Sequence, residues 1–192
     1  MQDSLVLCGI YKQYLIFFKT IQQNNELEWN NLMAIVRKAE VKDLGFIQQI
    51  AKESWNDTYR GLIPEDIQER FLQEAYADEL MPVRLERTLL LVAENNGKLV
   101  GFANASQKAG IGNLHAIYLL PDAKGRDIGS QLLEHLIAEL EPIHEMHVEV
   151  EKGNRSGETF YAAKGFKMVD EFAEDLYGHT LITKKMVLEL SN

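Results

Sequence analysis

Lys124-Gly125-Arg126-Asp127-Ile128-Gly129-Ser130 follows a β-rich run, Leu114 to Leu120, closed by Pro121-Asp122, and precedes a run that sets Leu132, Leu133, Leu136, Ile137 and Leu140 on one helical face. The order of strand, basic glycine-containing loop and helix decides the reading of the fold. A helix N-terminus presents unpaired backbone N–H groups and the positive end of its dipole. Glycine lets backbone approach a ligand closely, and Lys124 and Arg126 add positive charge. The segment therefore predicts an anion site suited to a phosphate-bearing cofactor. Neither G-x-x-x-x-G-K-[ST] nor a G-x-G-x-x-G after the first strand is present, which excludes the common nucleoside-triphosphate and dinucleotide loops.

Downstream of this loop, Met146, Val148 and Val150 alternate with His147, Glu149 and Glu151, the pattern of a half-buried strand. A short helix over Ser156 to Lys164 follows, then two strands, Lys167 to Glu174 and Thr180 to Leu190, turned near Gly178. Upstream, the runs Leu89 to Ala93 and Lys98 to Asn104 flank Asn95-Asn96-Gly97, whose Asn-Gly pair supplies the positive φ angles of a tight hairpin. Pro64 with Glu65 and Asp66 opens a helix that buries Ile67, Phe71 and Leu72. Ala34 to Lys38 reads as the first strand, and Val41 to Asn56 as a helix with Leu44, Ile47, Ala51 and Trp55 inward. The expected fold is α/β, a mixed but largely antiparallel sheet with helices on both faces.

A chain of 192 residues without repeats or an internal linker suits one domain, here 33–192. Residues 1–32 read as an N-terminal extension or accessory helix. Leu5 to Phe18 is apolar, but Lys12 and Gln13 interrupt it, so no membrane span is expected. No basic residue precedes this run and no small-residue cleavage site follows it before Gln22, so a signal peptide is not expected either. The balance of 29 acidic against 20 basic residues gives a net charge of -9, which opposes nucleic-acid binding and favours cationic partners. Cys8 is the sole cysteine, so there is no intramolecular disulfide or Cys-based zinc set, and a reducing cytoplasm is the expected location. His144 and His147 are three apart beside a strand, not four apart on a helix, and no metal site is expected. A G-x-S-x-G nucleophile elbow is also missing.

The decisive second segment is Asn154-Arg155-Ser156-Gly157-Glu158-Thr159-Phe160-Tyr161-Ala162-Ala163-Lys164-Gly165-Phe166. It resembles the N-x-x-A-x-x-F-Y-x-x-x-G-F segment of the GNAT N-acetyltransferases, with Gly157 in the alanine place. The loop at Lys124 is similar to the same family's [QR]-x-x-G-x-[GA] cofactor loop. Gly129 matches, Lys124 matches conservatively, and Asp127 stands where the first glycine is expected. The resemblance runs from about Met33 to Leu190.

The resemblance implies acetyl transfer from acetyl-CoA to a primary amine by direct attack, in a gap splayed between Leu114 to Leu120 and Met146 to Glu151. Backbone groups of Ile117, Tyr118 and Leu119 would pair with the pantetheine arm. Lys124, Gly125, Arg126, Asp127, Ile128, Gly129 and Ser130 would hold the pyrophosphate, and Asn154 would contact the cofactor or order its loop. Tyr161 would protonate the departing thiolate. His115 is the first choice of general base, with Glu149 and Glu151 as rivals. Ser54 to Pro64 resembles a stretch seen in polyamine acetyltransferases, so that Asp57, Trp55 and Tyr59 would border the acceptor. The acceptor would be a small-molecule or peptide amine, and the family leaves room for a homodimer. The competing reading is a non-catalytic acyl-CoA-binding regulatory module with a decayed loop at Asp127.

Overall fold

The computed structural model describes residues 34–140 and 142–190. The expected extension, with Cys8, lies outside them. Chain order is β1 (Ile35–Lys38), a 3₁₀ turn (Val41–Asp43), α1 (Leu44–Thr58), α2 (Glu65–Ala75), α3 (Leu80–Arg87), β2 (Leu89–Asn95), β3 (Lys98–Lys108) and β4 (Ile111–Leu119). A second 3₁₀ turn (Pro121–Ala123) leads to α4 (Ile128–Leu140), β5 (Glu145–Glu151), α5 (Arg155–Ala163), β6 (Lys167–Leu176) and β7 (His179–Glu189). The sheet order is β1-β2-β3-β4-β5-β7-β6. Only β4 and β5 are parallel, and α4 makes the crossover between them. The expected mixed, largely antiparallel sheet is the observed one.

Alternation along the strands divides the core between the two faces of the sheet. Leu91, Ala93, Ala103 and Ala105 pack with the α4 residues Ile128, Leu132, Leu133 and Leu136, and with Met146, Val148 and Val150 of β5. Leu90, Val92 and Phe102 face the other way, onto Ile47, Ile50, Ala51 and Trp55 of α1 and Leu72 of α2. Helices thus cover both faces, as patterning predicts.

Two features differ from the sequence reading. Helix α3 is absent from the sequence reading; its Pro82 falls in the first turn, where the N–H that proline lacks would have had no helical partner. Strand β4 begins three residues before Leu114, because Ala109 and Gly110, both at positive φ, turn β3 directly into it. In α2 the fully buried positions are Gln68 and Leu72, while Ile67 and Phe71 are half-buried.

Candidate active site

The site arises where the sheet comes apart. Strands β4 and β5 pair from Ile111↔Glu145 to Leu114↔Val148 and no further. On its other side β4 stays joined to β3, with Ala103↔Ile117, Phe102↔Tyr118 and Gly101↔Leu119. The register between β3 and β4 slips so that Ala105 faces Leu114 and Asn104 faces Ala116, which leaves His115 as the extra residue of a bulge. The bulge reverses the face of every later side chain. Leu114 accordingly packs under α4, whereas Ala116 packs under α1. Beyond this point the edge of β4 that faces β5 has no strand partner among the described residues, and Ile117, Tyr118 and Leu119 line a cleft of about 1110 Å³. An unpaired strand edge accepts an extended ligand as it would another strand.

The floor of one end is the loop before α4. Backbone N–H groups from residue 125 to residue 130 make no hydrogen bond among the described residues, and the first helical bond is Gln131 N–H to the Asp127 carbonyl. Gly125 (φ 74°) and Asp127 (φ 60°) both lie in the left-handed region, which bends successive N–H groups toward one concavity. This explains why a glycine would be at home at 127 and why aspartate, which tolerates this conformation, can replace it. Lys124, Gly125, Asp127, Ile128, Gly129 and Ser130 line the cleft directly. Arg126 lies within the same loop without lining it. The donors fit a pyrophosphate.

Two close approaches fix this end. A Cβ on Gly129 would lie 3.3 Å from the Phe160 ring, and one on Gly157 would lie 2.9 Å from Asn154 Nδ2. Glycine at 157, where the family segment carries alanine, therefore lets the Asn154 side chain fold inward. Asn154 caps α5 by accepting the Gly157 N–H at 2.9 Å, and its amide nitrogen lies 3.5 Å from the Tyr59 hydroxyl.

Tyr161, on α5, is 8% exposed and lines the cleft. Its hydroxyl makes no hydrogen bond among the described residues, and burial, then the charge of Glu151, pushes its pKa well up, which keeps the phenol protonated. At the other end, Tyr59 at the C-terminus of α1 donates its hydroxyl to Glu151 Oε2. Gln68 holds the turn that carries Tyr59, donating to the Tyr59 and Ile63 carbonyls at 3.2 and 2.7 Å. Burial raises the pKa of the Glu151 carboxyl, helped by the neighbouring charges of Glu174 and Glu149, while the Tyr59 bond opposes it.

Of the other residues expected near the acceptor, Trp55 lines the cleft and Asp57 does not. Trp55 is buried, stacks on Phe71 at 4.1 Å and donates Nε1 to the Tyr118 hydroxyl at 2.7 Å, so it supports the wall. Asp57 faces the cofactor loop, with its carboxylate 2.8 Å from Lys124 Nζ. The Asp127 side chain does not cap α4: it makes no hydrogen bond to Gly129 or Ser130 among the described residues. His115 lines the cleft with Nε2 2.8 Å from Ser106 Oγ, and partial burial, with Arg84 nearby, lowers its pKa. Among the described residues no group of three metal-ligating side chains converges.

Over residues 46–188 the chain matches the family model for the acetyltransferase (GNAT) domain. It belongs to the GNAT family of N-acetyltransferases. The enzyme is 30% identical to the spermidine N(1)-acetyltransferase of Thermoplasma acidophilum over 148 residues, 73% of this chain and 92% of that protein. The crystal structure of PaiA N-acetyltransferase from Thermoplasma acidophilum in complex with coenzyme A aligns with a TM-score of 0.70 at 29% identity, over 82% of this chain and 99% of that one. A putative acetyltransferase of Salmonella typhimurium, solved with acetyl-CoA, shares the fold at 21% identity and a TM-score of 0.61, over 83% and 95% of the two chains. Acetyl-CoA is the acetyl donor of this family. No helix among the described residues is long and apolar enough to cross a membrane.

Proposed function

We propose that this acetyltransferase modifies a primary amine of a small cationic acceptor, with a polyamine such as spermidine the best fit, in the cytoplasm. The observation that carries the reading is the polarity of the cleft. One end gathers N–H donors with no partner among the described residues, beside Lys124, which pairs with Asp57, and Asp127; the rest of the lining carries Glu149, Glu151, Glu174 and Asp175 against Lys108 and Lys185, an acidic excess. An acetyl donor with a pyrophosphate and an acceptor with several ammonium groups sort themselves to opposite ends. The spermidine acetyltransferase relative supports the same acceptor class.

In this reading the β4 edge at Ile117, Tyr118 and Leu119 holds the pantetheine arm, residues 124–130 hold the pyrophosphate, and Asn154 orders the turn between β5 and α5. The thioester lies beside Tyr161. The acceptor nitrogen attacks the carbonyl carbon, the C–S bond breaks, and Tyr161 gives its proton to the departing sulfur. The free, protonated phenol of Tyr161 in the cleft favours catalysis over the regulatory-module reading. The catalytic domain is 33–192, with 1–32 as an extension. Thiol release from acetyl-CoA, measured with spermidine, monoamines and peptides, tests the acceptor class. Fastest turnover with spermidine is expected; a preference for uncharged or peptide amines would refute it.

A further inference from the structure

An attacking ammonium must lose a proton before its lone pair is available, and the cleft must supply a base. His115, the first choice from sequence, sits on the β4 bulge and is engaged by Ser106. The β5 face toward α1 carries His147, Glu149 and Glu151, because Met146, Val148 and Val150 fill the opposite core. Of these, Glu151 is the last residue of the strand, three residues beyond the end of β4–β5 pairing. There it shares the cleft wall with Tyr118 and Tyr161.

Building on the reading of this cleft as the acetyl-transfer site, we propose that Glu151, held in place by the Tyr59 hydroxyl, is the catalytic base that takes the proton from the acceptor ammonium. Its geometry suits the role in three respects. Tyr59 occupies Oε2 and fixes the carboxylate. No lysine, arginine or histidine forms an ion pair with Glu151 among the described residues, so its charge is not already satisfied by the protein. Tyr59, Tyr118 and Tyr161 line the same cleft and all sense the Glu151 charge, so aromatic rings, which attract cations, lie in the wall it shares.

Every element around Glu151 adds to its environment. Glu149 lies on the same strand, Tyr59 comes from α1, Tyr118 from β4, Asn154 and Tyr161 from α5 and its cap, and Glu174 from β6, while β7 sets Thr183 opposite it. Burial and the two neighbouring glutamates hold its pKa above the ordinary carboxylate value, which makes it a better proton acceptor near neutral pH.

The protons balance. The ammonium passes one proton to Glu151, and the neutral nitrogen forms the C–N bond. The second proton leaves the tetrahedral nitrogen as the C–S bond breaks, and it replaces the one that Tyr161 gives to sulfur. Glu151 then releases its proton to solvent.

The test compares wild type, Glu151→Gln and Glu149→Gln across pH with whichever amine of the acceptor panel turns over fastest. Glu151→Gln is expected to lower kcat on the order of 10²-fold, with acetyl-CoA affinity retained and the acid limb of the kcat/KM profile lost. Loss of that limb in Glu149→Gln, with its retention in Glu151→Gln, would overturn the proposal. If a monoamine outperforms spermidine, the acceptor class falls while Glu151 is still judged on that amine. A readout independent of any acceptor is the ¹³C carboxyl resonance of Glu151, assigned by difference from the glutamine variant. Titration above the ordinary glutamate range supports the assignment, and titration within or below that range overturns it.

Discussion

Replacing Asp127 by glycine separates two roles for that residue, because the conformational and electrostatic effects fall on different measurements. At φ 60° the aspartate occupies a region that costs an ordinary L-residue about 1–2 kcal/mol, less for aspartate. Glycine removes that strain but frees the unfolded chain, at a cost of about 0.4–1 kcal/mol. No capping bond is lost, so the two terms nearly cancel and the apo Tm should move by no more than a few degrees. Cofactor binding is another matter. If the carboxylate lies about 8 Å from one phosphate charge, an effective dielectric constant between about 20 and 80 gives a repulsion on the order of 1 kcal/mol. Its removal should tighten acetyl-CoA binding about fivefold. With a screening length of about 8 Å at 0.15 M salt, most of the gain should vanish in high salt. Calorimetric titration of both proteins at two ionic strengths reads the difference. Equal or weaker binding by Asp127→Gly at low salt would refute the argument and show that the carboxylate points away from the phosphates.

Tyr161→Phe should lower kcat on the order of 10²-fold with little change in acetyl-CoA affinity, because the ring stays and the proton donor goes; unchanged turnover would remove Tyr161 from the mechanism. Acetyl-CoA at 100 times its Kd should stabilise the folded protein by about 2.7 kcal/mol, read as a rise of several degrees in Tm; no rise with folded protein would contradict the cleft assignment. Glu151→Gln should raise Tm at neutral pH. The raised pKa of Glu151 means that its contribution to stability is complete below the ordinary glutamate pKa and is lost as pH rises through the folded value. The variant's advantage should therefore disappear in acid, and an equal difference at both pH values in thermal scans would count against a desolvated carboxylate.

The sheet was legible because its strands alternate and its turns carry their own chemistry: Asn96-Gly97 and Gly178 sit at positive φ where the sequence requires turns. The anion loop was legible for the same reason, since glycines and a helix start are local features. What a local reading cannot contain is the consequence of one extra residue in a ladder. The bulge at His115 leaves no mark in composition, yet it reverses the strand face beyond it, so that Leu114 and Ala116, two residues apart, pack on opposite faces of the sheet. Long-range pairs were equally hidden. Asp57 and Lys124 are 67 positions apart, and Tyr59 and Glu151 are 92 apart. Helix α3, eight residues long with Pro82 in its first turn, carries only a short periodic pattern in the sequence.

The parting of β4 from β5 does two chemical jobs. It exposes one strand edge whose backbone groups would, in the proposed reading, hold an extended donor, and it leaves the last residues of β5 without a neighbour on the same side. A glutamate at the end of that strand is therefore exposed to the cleft yet still shielded by the tyrosines around it. If the strands remained paired through Leu119, the ladder would consume the β4 backbone groups. Glu151 would then lie beside a neighbouring strand instead of an open cleft. In that reading, shortening the pairing gives the donor its edge and the acceptor its carboxylate, at opposite sides of one gap. Tyr161 reaches that gap from α5 because the Asn154 cap starts the helix only three residues after β5 ends. The proposed base, the proposed acid and the strand edge all depend on the same break in the sheet. Extending the β4–β5 pairing should therefore remove donor binding and acceptor activation together.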